Sequence, residues 1–202
     1  MFKYNIIGTG PLAEQIVDFT ERGEIIGIDK INTIHKLDNF NLRSFKNYKI
    51  KKFDLKKINK SIKEKYIIAV NNLYRRRDIY RSIKKKLHTN CIHTSSVFYK
   101  YFKIGTGNII MPNVIFMLKS SIKNSNVFFP GTIISHNCKI NSYNNIYHNA
   151  VILGSTQIDN EVLIGSNSTI NYKKKIHSQC IISSNTFQKT SLKKGTIVIE
   201  KK

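Results

Sequence analysis

Cysteine is scarce in this sequence. Only Cys91, Cys138 and Cys180 occur, none of them in a C-x-x-C pair, and an odd number gives no disulfide framework. Cys138 and Cys180 each end a block of the six-residue repeat described below, where a small residue suits a tight corner. We therefore interpret them as packing residues and predict a cytoplasmic protein.

Long apolar runs are also missing. No segment approaches the roughly 18 consecutive apolar residues of a membrane-spanning helix, so we predict no membrane insertion. The N-terminal segment MFKYNIIGTG has no apolar region followed by a small-residue cleavage site, and we expect no signal peptide. An apolar fraction of 41% over 202 residues is still enough for one large domain or two modest domains.

Acidic residues are few, 12 against 34 lysines and arginines, which gives a formal charge of +22. Such a charge suits a nucleic-acid or membrane-surface partner. The lysines, however, are scattered along the chain, with only short runs at 84–86 and 173–175. We predict no specific nucleic-acid partner, although the charge can attract anionic nucleotides.

What the chain does have is a strict period of six. From Cys91 to Thr186 it divides into sixteen blocks, and the second place of every block is Ile or Phe. Neither a helix nor an ordinary strand repeats at six, whereas the coils of a parallel β-helix do. Three blocks close one triangular turn, so sixteen blocks predict about five turns. Small residues are expected at the corners two places before the apolar one, among them Thr132, Cys138, Ala150, Thr156 and Ser168.

A glycine loop follows the first apolar run. The run over residues 3–7 predicts a strand, and residues 8–13, GTGPLA, match G-x-G-x-x-G/A at the start of a predicted helix that ends near Gly23. A second strand is predicted over 24–28, with Asp29 directly after it. Glycines allow close backbone approach, and a helix N-terminus offers N–H groups to a phosphate. A tight turn without a ligand is the alternative.

The remainder of the first ninety residues fits the same α/β pattern. Residues 66–70 predict a buried strand that ends in Asn71 and Asn72, and a helix is predicted over 73–87. Residues 30–60 are only weakly periodic. We therefore predict a small Rossmann-like α/β domain over 1–90 and a β-helix domain over 91–202. The repeat fades at Gln188, and residues 195–199 predict a capping strand.

Together these segments resemble the NeuD/PglD group of sugar O- and N-acyltransferases over almost the whole chain. The resemblance is carried by five segments: IGTG at 7–10 with Ala13, IGID at 26–29, IAVNN at 68–72 with three arginines at 75–77, Ile92-His93, and GTIISHNC at 131–138. The last of these is the most specific. It resembles the family's G-[AST]-[IV]-[IV]-E-H-[DE]-C except at its two acidic places.

The resemblance implies a left-handed β-helix that assembles as a homotrimer, with active sites between neighbouring coils. It also implies that the first domain binds a nucleotide-sugar acceptor, which favours a uridine-nucleotide sugar over NAD, and that acetyl-CoA lies along the coil. The acceptor-binding residues it implies are Gly8, Thr9, Gly10, Asp29 and Asn71.

His136 matches the family's catalytic histidine, and an imidazole titrates in the range that general-base catalysis needs. Without that block, a lone histidine in a polar place would be interpreted as a surface residue. Ser135 and Asn137 replace the usual carboxylates, so Asn137, a backbone carbonyl or another subunit must orient the ring. Asp159 and Glu161 are the only acids in the repeat, and neither is an eighteen-residue turn away from His136.

The resemblance also locates the acetyl donor. Asn145 stands where several relatives place a second histidine, and Gly154 and Ser155 follow one turn after His136 as backbone contacts for the acetyl-pantetheine end. Lys174 and its two neighbours can meet the CoA phosphates or form a solvated corner. The family's C-terminal G-x-P-A-[KR] segment is absent.

The predicted activity is acetyl-CoA-dependent N-acetylation of a nucleotide-linked amino sugar for surface glycans. Two alternatives remain: O-acetylation of a sialic-acid-like sugar, and a trimeric nucleotide-sugar-binding scaffold that lacks activity. His148 is interpreted as a surface or interface residue. A zinc-dependent carbonic anhydrase on a similar coil needs a close pair of histidines that His136, His148 and His177 do not provide, so no metal is expected.

Overall fold

The computed structural model describes residues 4–22, 24–26, 31–36, 45 and 48–199. The chain folds into two compact units, Met1–Thr94 with Thr106–Ile109, and Ser95–Gly105 with Ile110–Lys202. The repeat predicts that the first hexapeptide, which begins at Cys91, belongs to the coil. In the structure its first four residues belong to the N-terminal unit.

The N-terminal unit is built on a four-stranded parallel sheet. Its strands are β1 (Tyr4–Ile7), β3 (Ile31–Lys36), β4 (Lys49–Lys52) and β5 (Lys65–Ile68), in the order β4-β3-β1-β5. Its helices are α1 (Pro11–Glu21), α2 (Leu55–Lys60) and α3 (Leu73–Ser82), followed by a short 3-10 turn at Lys85–Leu87. The core includes Ile6, Ile7, Ile16, Ile34, Ile67 and Ile68, all fully buried.

Strand β2 differs from the sequence prediction. It comprises Ile25–Ile26 and pairs antiparallel with β6 (Cys91–His93), so it is not part of the parallel sheet. The strand beside β1 is β3, in a segment that showed only weak periodicity. The segments of β2 and β3 are both short. Which of them pairs with β1 depends on contacts between residues far apart in the sequence, and a local pattern cannot decide that. Asp29 lies outside the described residues.

The third helix is shorter than its periodicity predicts. It ends at Ser82 because Ile83 and Lys84 take extended backbone angles, with ψ values of 140° and 130°. The Asn59 side chain fixes this break: its Oδ1 accepts from the Lys84 N–H and its Nδ2 donates to the Ser82 carbonyl.

The second unit is a stack of short parallel strands. Its strands are β7 (Val97–Phe98), β8 (Lys103–Ile104), β10 (Ile115–Phe116), β11 (Ser121–Ile122), β12 (Val127–Phe128), β13 (Ile133–Ile134), β14 (Lys139–Ile140), β15 (Asn145–Ile146), β16 (Val151–Ile152), β17 (Gln157–Ile158), β18 (Leu163–Ile164), β19 (Thr169–Ile170), β20 (Lys175–Ile176), β21 (Ile181–Ile182), β22 (Phe187–Gln188) and β23 (Ile197–Val198), while β9 (Ile109–Ile110) spans the division between the units. Strands β7 to β22 pair with strands eighteen residues away, as Ile134 pairs with Phe116 and Ile152, whereas β23 lies sixteen residues after its partner β21. The predicted turn of three hexapeptides is confirmed.

The repeat explains this cross-section. Second-place side chains such as Ile134, Ile152 and Ile170 are fully buried and stack in columns. The predicted corner residues Thr132, Cys138, Ala150, Thr156 and Ser168 are also fully buried. The fifth place of the blocks takes a left-handed backbone conformation, as at Asn137, Ser155 and Lys173 with φ values of 59°, 58° and 55°. These stacked sheets fit the β-helix that the resemblance implies. The left-handed sense of its winding stays a prediction.

Two outer faces of the coil differ in chemistry. The first places of β7, β10, β13, β16, β19 and β22 form the apolar face, with side chains Val97, Ile115, Ile133, Val151, Thr169 and Phe187 half-buried or exposed. The first places of β8, β11, β14, β17 and β20 form the polar face, with Lys103, Ser121, Lys139, Gln157 and Lys175.

The coil ends as the fading repeat predicts. Gln188 takes the inward place of the last block, and its side-chain amide is satisfied locally because Nε2 donates to the Thr190 carbonyl and Oγ1. The predicted capping strand is confirmed as β23, which pairs in parallel with β21.

Candidate active site

His136 lies at an exposed corner of the coil. The corner joins β13, on the apolar face, to β14, on the polar face. The side chain of Ile134 points inward, and the chain then turns through Ser135, His136 and the left-handed residue Asn137. Asn is one of the few residues that adopts this conformation readily. The imidazole is therefore held outside the coil, where a ligand can reach it.

Gly154 lies directly below His136, one turn further along. The backbone ladder connects the two turns, because the Ser155 N–H donates to the His136 carbonyl at 2.9 Å. A Cβ atom on Gly154 would lie only 2.5 Å from His136 Nε2 and 2.6 Å from Cε1. The ring thus occupies the space that a side chain at position 154 would need, and only glycine leaves room for it.

Tyr172 occupies the same place one turn below Gly154. Its ring centroid is 6.5 Å from that of His136, and the Lys173 ammonium lies 5.0 Å above the Tyr172 ring centroid. His136, Gly154 and Tyr172 form a column along the corner, which we call the His136 column. Because Gly154 has no side chain, a gap remains between the His136 imidazole and the Tyr172 ring, which has the Lys173 ammonium beside it.

Asn137 provides the one side-chain partner of the imidazole that the structure describes. Its Nδ2 is 3.0 Å from His136 Nδ1. In this orientation the amide donates to Nδ1, and a neutral ring carries its proton on Nε2. Turning the amide by 180° puts Oδ1 in the same place, where it accepts from Nδ1–H and leaves Nε2 unprotonated. The two orientations give opposite roles to Nε2.

Asp159 and Glu161 have other partners. Asp159 pairs with His177 Nδ1 at 3.1 Å and accepts from Asn141 Nδ2 at 3.2 Å, while Glu161 accepts from Gln179 Nε2 at 3.1 Å. The contact between Asp159 and His177 is not among the sequence predictions. Its signal is their separation of eighteen residues, which stacks them on the polar face.

The residues predicted to bind the acetyl donor lie partly at the His136 corner and partly elsewhere. At this corner, no described residue accepts a hydrogen bond from the Gly154 N–H, whereas the Ser155 N–H donates to the His136 carbonyl. Asn145 is 1% exposed and lies on β15, away from this corner. Lys174 takes a corner place normally filled by a small residue and is half-buried, while Lys173 is exposed beside Tyr172.

The structure brings four of the predicted acceptor residues together. Gly8, Thr9, Gly10 and Asn71 line one pocket of about 180 Å³. The pocket also includes Ala69, Val70, Asn72, Arg75 and the first residues of α1. It lies where β1 and β5 end, and the strand order β4-β3-β1-β5 reverses between these two strands. Such a switch point is where ligands bind in open parallel sheets.

The two glycines of this loop differ in what the fold requires of them. Gly8 has a φ of +134°, and a Cβ there would collide with the Ala69 carbonyl oxygen. Gly10 has no atom within 4 Å of a built Cβ, so the described fold does not require glycine there. Gly10 also precedes α1, which has Pro11 in its first turn. The open space at Gly10 suits the close approach of a ligand.

Arg76 fixes the other wall of the pocket. Its side chain is fully buried, and Nη1 donates to the carbonyl oxygens of Val70 at 2.9 Å and Asn71 at 3.2 Å. This guanidinium holds the chain after β5 in place. In the sequence Arg76 is one of three consecutive arginines, and no local pattern distinguishes it from its neighbours.

No group of three or more histidine, cysteine, aspartate or glutamate side chains suited to a metal ion occurs among the described residues. Over the same residues, no helix is long and apolar enough to cross a membrane.

Comparison of the sequence with protein-family models and with curated proteins gave no match. Comparison of the structure with solved structures did. The acetyltransferase domain of PglB from Neisseria gonorrhoeae superposes with a TM-score of 0.83 at 18% identity, covering 98% of this chain and 96% of that one. A mutant of perosamine N-acetyltransferase from Caulobacter crescentus, in complex with CoA and GDP-perosamine, gives 0.78 at 16% identity, covering 98% and 88%. WeeI from Acinetobacter baumannii gives 0.68 at 14% identity, covering 98% and 94%. The chain therefore has the fold of these sugar acetyltransferases.

Proposed function

We propose that this protein is an N-acetyltransferase that moves the acetyl group of acetyl-CoA to the amine of a nucleotide-linked amino sugar. The observation that carries the proposal is the His136 column. An exposed imidazole lies against a glycine whose N–H has no acceptor among the described residues. A general base and an oxyanion donor are the two elements that acyl transfer needs.

The reaction then follows from these positions. The uncharged amine attacks the thioester carbonyl carbon, and His136 Nε2 takes the proton that the amine loses. The carbonyl oxygen becomes an oxyanion and accepts a hydrogen bond from the Gly154 N–H. Collapse of the tetrahedral intermediate breaks the C–S bond. The proton on His136 returns to the departing sulfur, so the products are an amide and free CoA thiol.

The same corner provides cations for the donor. Lys173 is exposed beside Tyr172, and Lys174 follows it. These ammonium groups suit the CoA phosphates, and the PglB domain has been solved in complex with acetyl coenzyme A. Asn145 is buried in a different sheet from that of His136.

The acceptor is held by the N-terminal unit. The glycine-loop pocket includes Gly10 and the first turn of α1. Pro11 has no N–H and the Ala13 and Glu14 N–H groups donate to the Gly10 carbonyl, so the Leu12 N–H is the group of this turn that can meet a phosphate. This arrangement supports the Rossmann-like classification. The acceptor is a UDP-type amino sugar on this proposal, and its acetylated product serves surface glycan synthesis. A related fold binds GDP-perosamine.

The working assembly is a homotrimer on the same proposal. The apolar face exposes branched aliphatic side chains along its length, whereas the polar face carries lysines. Such a face is costly to leave in water and suits contact with a second copy. His136 lies at one edge of the apolar face, so a neighbouring coil would complete the site.

One observation favours the scaffold alternative. With the Asn137 amide nitrogen on Nδ1, the neutral ring of His136 carries its proton on Nε2 and has no lone pair there for the amine. A chain locked in this orientation would bind the nucleotide sugar without acetylating it.

The test is thiol release from acetyl-CoA with a panel of nucleotide-linked amino sugars and free sialic acids. We expect release with an amino sugar for wild type, and loss of about 100-fold or more for His136→Ala. His177→Ala is the matched control, because His177 is exposed but already paired with Asp159. Equal rates in wild type and His136→Ala would reject the assignment, and nucleotide-sugar binding without any turnover would support the scaffold.

A further inference from the structure

The lysines of the coil lie on one side of it. Between β7 and β22 the chain has eight lysines and no arginine, and the lysines are scattered in the sequence. One turn takes eighteen residues, so residues far apart in the chain return to the same side. The third sheet of the coil, with β9, β12, β15, β18 and β21, has no lysine. All eight lie on the polar face or at the corner that leads into it from the apolar face: Lys100, Lys103, Lys119, Lys123, Lys139, Lys173, Lys174 and Lys175.

Three of these lysines form a row along the polar face. Lys103, Lys139 and Lys175 occupy the first places of β8, β14 and β20, with Ser121 and Gln157 between them. Neighbouring strands of a sheet are about 4.8 Å apart, so the row repeats a cation about every 9.6 Å. All three side chains are exposed. The row therefore presents regularly spaced positive charge to the solvent.

The third places that follow the same strands lie on the same side of the coil, because side chains two places apart on a strand point to one side. These places hold Gly105, Lys123, Asn141, Asp159 and His177. Lys123 is exposed, and Asp159, the single acid among these five places and the five of the row, lies 3.1 Å from His177 Nδ1. This side of the coil is therefore positively charged as a whole.

The composition of this side indicates the class of partner that it suits. Its first and third places contain no apolar residue and no Phe, Tyr or Trp, so it offers neither a hydrophobic anchor nor a platform on which bases stack. Lysine is depleted at protein–protein interfaces. Arginine, which binds phosphates and bases through paired hydrogen bonds, does not occur in the coil. Flexible ammonium groups on a five-stranded sheet instead suit a surface over which anionic charge is spread, such as lipid phosphates.

We propose that the polar face docks this protein on an anionic lipid bilayer, with Lys103, Lys123, Lys139 and Lys175 facing the lipid phosphates. A lysine near an anionic bilayer strengthens binding about fivefold, and the attraction falls off within a Debye length. Because this side has no apolar side chain to enter the hydrocarbon, the protein stays at the headgroup surface. The docking is independent of acetyl transfer, and it leaves the apolar face for the proposed contact with a second copy.

The experiment is co-sedimentation of the full chain with vesicles of phosphatidylglycerol and phosphatidylcholine. At about 0.1 M salt we expect binding to mixed vesicles but not to pure phosphatidylcholine, and release at about 1 M salt, where the Debye length is about 3 Å. A test variant with three changes should bind about 100-fold more weakly: Lys103→Gln, Lys123→Gln and Lys139→Gln. Lys175 is kept because it adjoins Lys174 at the donor corner. A matched control removes three exposed lysines of the N-terminal unit and should lose about threefold or less: Lys56→Gln, Lys60→Gln and Lys63→Gln.

Several results would overturn the proposal. These are no binding to the mixed vesicles, binding that persists at about 1 M salt, and equal losses in the two variants, since the net charge alone would then explain the attraction. Duplex DNA is also added to the bound vesicles at equal phosphate concentration, and complete displacement by the DNA would assign the face to nucleic acid instead. Thermal unfolding of both variants checks the fold. If the test variant is less stable than wild type, Lys139→Gln alone decides the result, with an expected loss of about fivefold.

Discussion

At the residue scale, the fit between the His136 ring and Gly154 makes a direct prediction. Gly154→Ala puts a methyl group within 2.6 Å of the imidazole, so the ring must move. A displacement of about 1 Å at a catalytic group costs about 100-fold in rate. We expect kcat/KM for acetyl transfer to fall by that order, measured by thiol release.

The control is a double variant. In His136→Ala with Gly154→Ala the imidazole is absent, so any loss of thermal stability caused by Gly154→Ala should disappear. If the double variant stays as unstable as the single one, the strain does not come from the ring.

Asn137 makes the second residue-scale prediction. Asn137→Asp keeps a side chain that tolerates the left-handed backbone, but a carboxylate can only accept from His136. It therefore fixes the proton on Nδ1 and leaves Nε2 as the base, as in a catalytic triad. We expect kcat to rise about threefold or more. Two-bond ¹⁵N spectra should show His136 changing from the Nε2–H to the Nδ1–H tautomer. An unchanged tautomer in the variant would show that Asn137 does not orient the ring.

At the element scale, the inward columns carry the stability of the coil. Ile152 is fully buried and stacks between Ile134 and Ile170. Ile152→Ala should lower the free energy of unfolding by about 2–5 kcal/mol. The control is Gln157→Ala on the polar face, with a change of about 0.5 kcal/mol or less. Urea denaturation measures both, and similar losses would contradict an inward column.

The N-terminal unit should be sensitive to acid. Burial lowers the pKa of His35 and His88 below their ordinary value near 6.5. Below about pH 6.5 the unfolded chain therefore binds more protons than the native one at these sites, and the free energy of unfolding falls as pH decreases. Urea denaturation at pH 7.5 and 5.5 measures the difference. His88→Gln, which keeps a donor for the Tyr80 carbonyl, should reduce it. The same slope in wild type and variant would exclude His88 as a source.

At the scale of the whole molecule, the apolar face makes a prediction about assembly. Val151→Glu places a carboxylate in the middle of that face. We expect a trimer of the 23.3 kDa chain for wild type, dissociation in the variant, and loss of transfer activity with it. Light scattering coupled to size-exclusion chromatography measures the mass. Gln157→Glu, the same charge on the polar face, should leave the trimer intact. A wild-type monomer would reject the assembly.

The sequence by itself determined the coil. A period of six leaves one solution, in which the Ile and Phe places point inward, so turn length, corner residues and the capping strand followed from pattern alone. The resemblance read from the sequence implied one acceptor site with Gly8, Gly10 and Asn71, and these residues line one pocket in the structure. The stacking of Gly154 below His136 follows from the eighteen-residue turn.

Only the tertiary structure decided which strand lies beside β1, because two short apolar runs compete for it and the pairing is non-local. It alone showed that Asn137, and not a carboxylate, meets His136 Nδ1, that Asp159 pairs with His177, and that Arg76 is buried under the acceptor loop. Side-chain partners across a corner or beneath a loop depend on rotamers and burial. A linear pattern specifies which way a residue points, but not which atom meets it there.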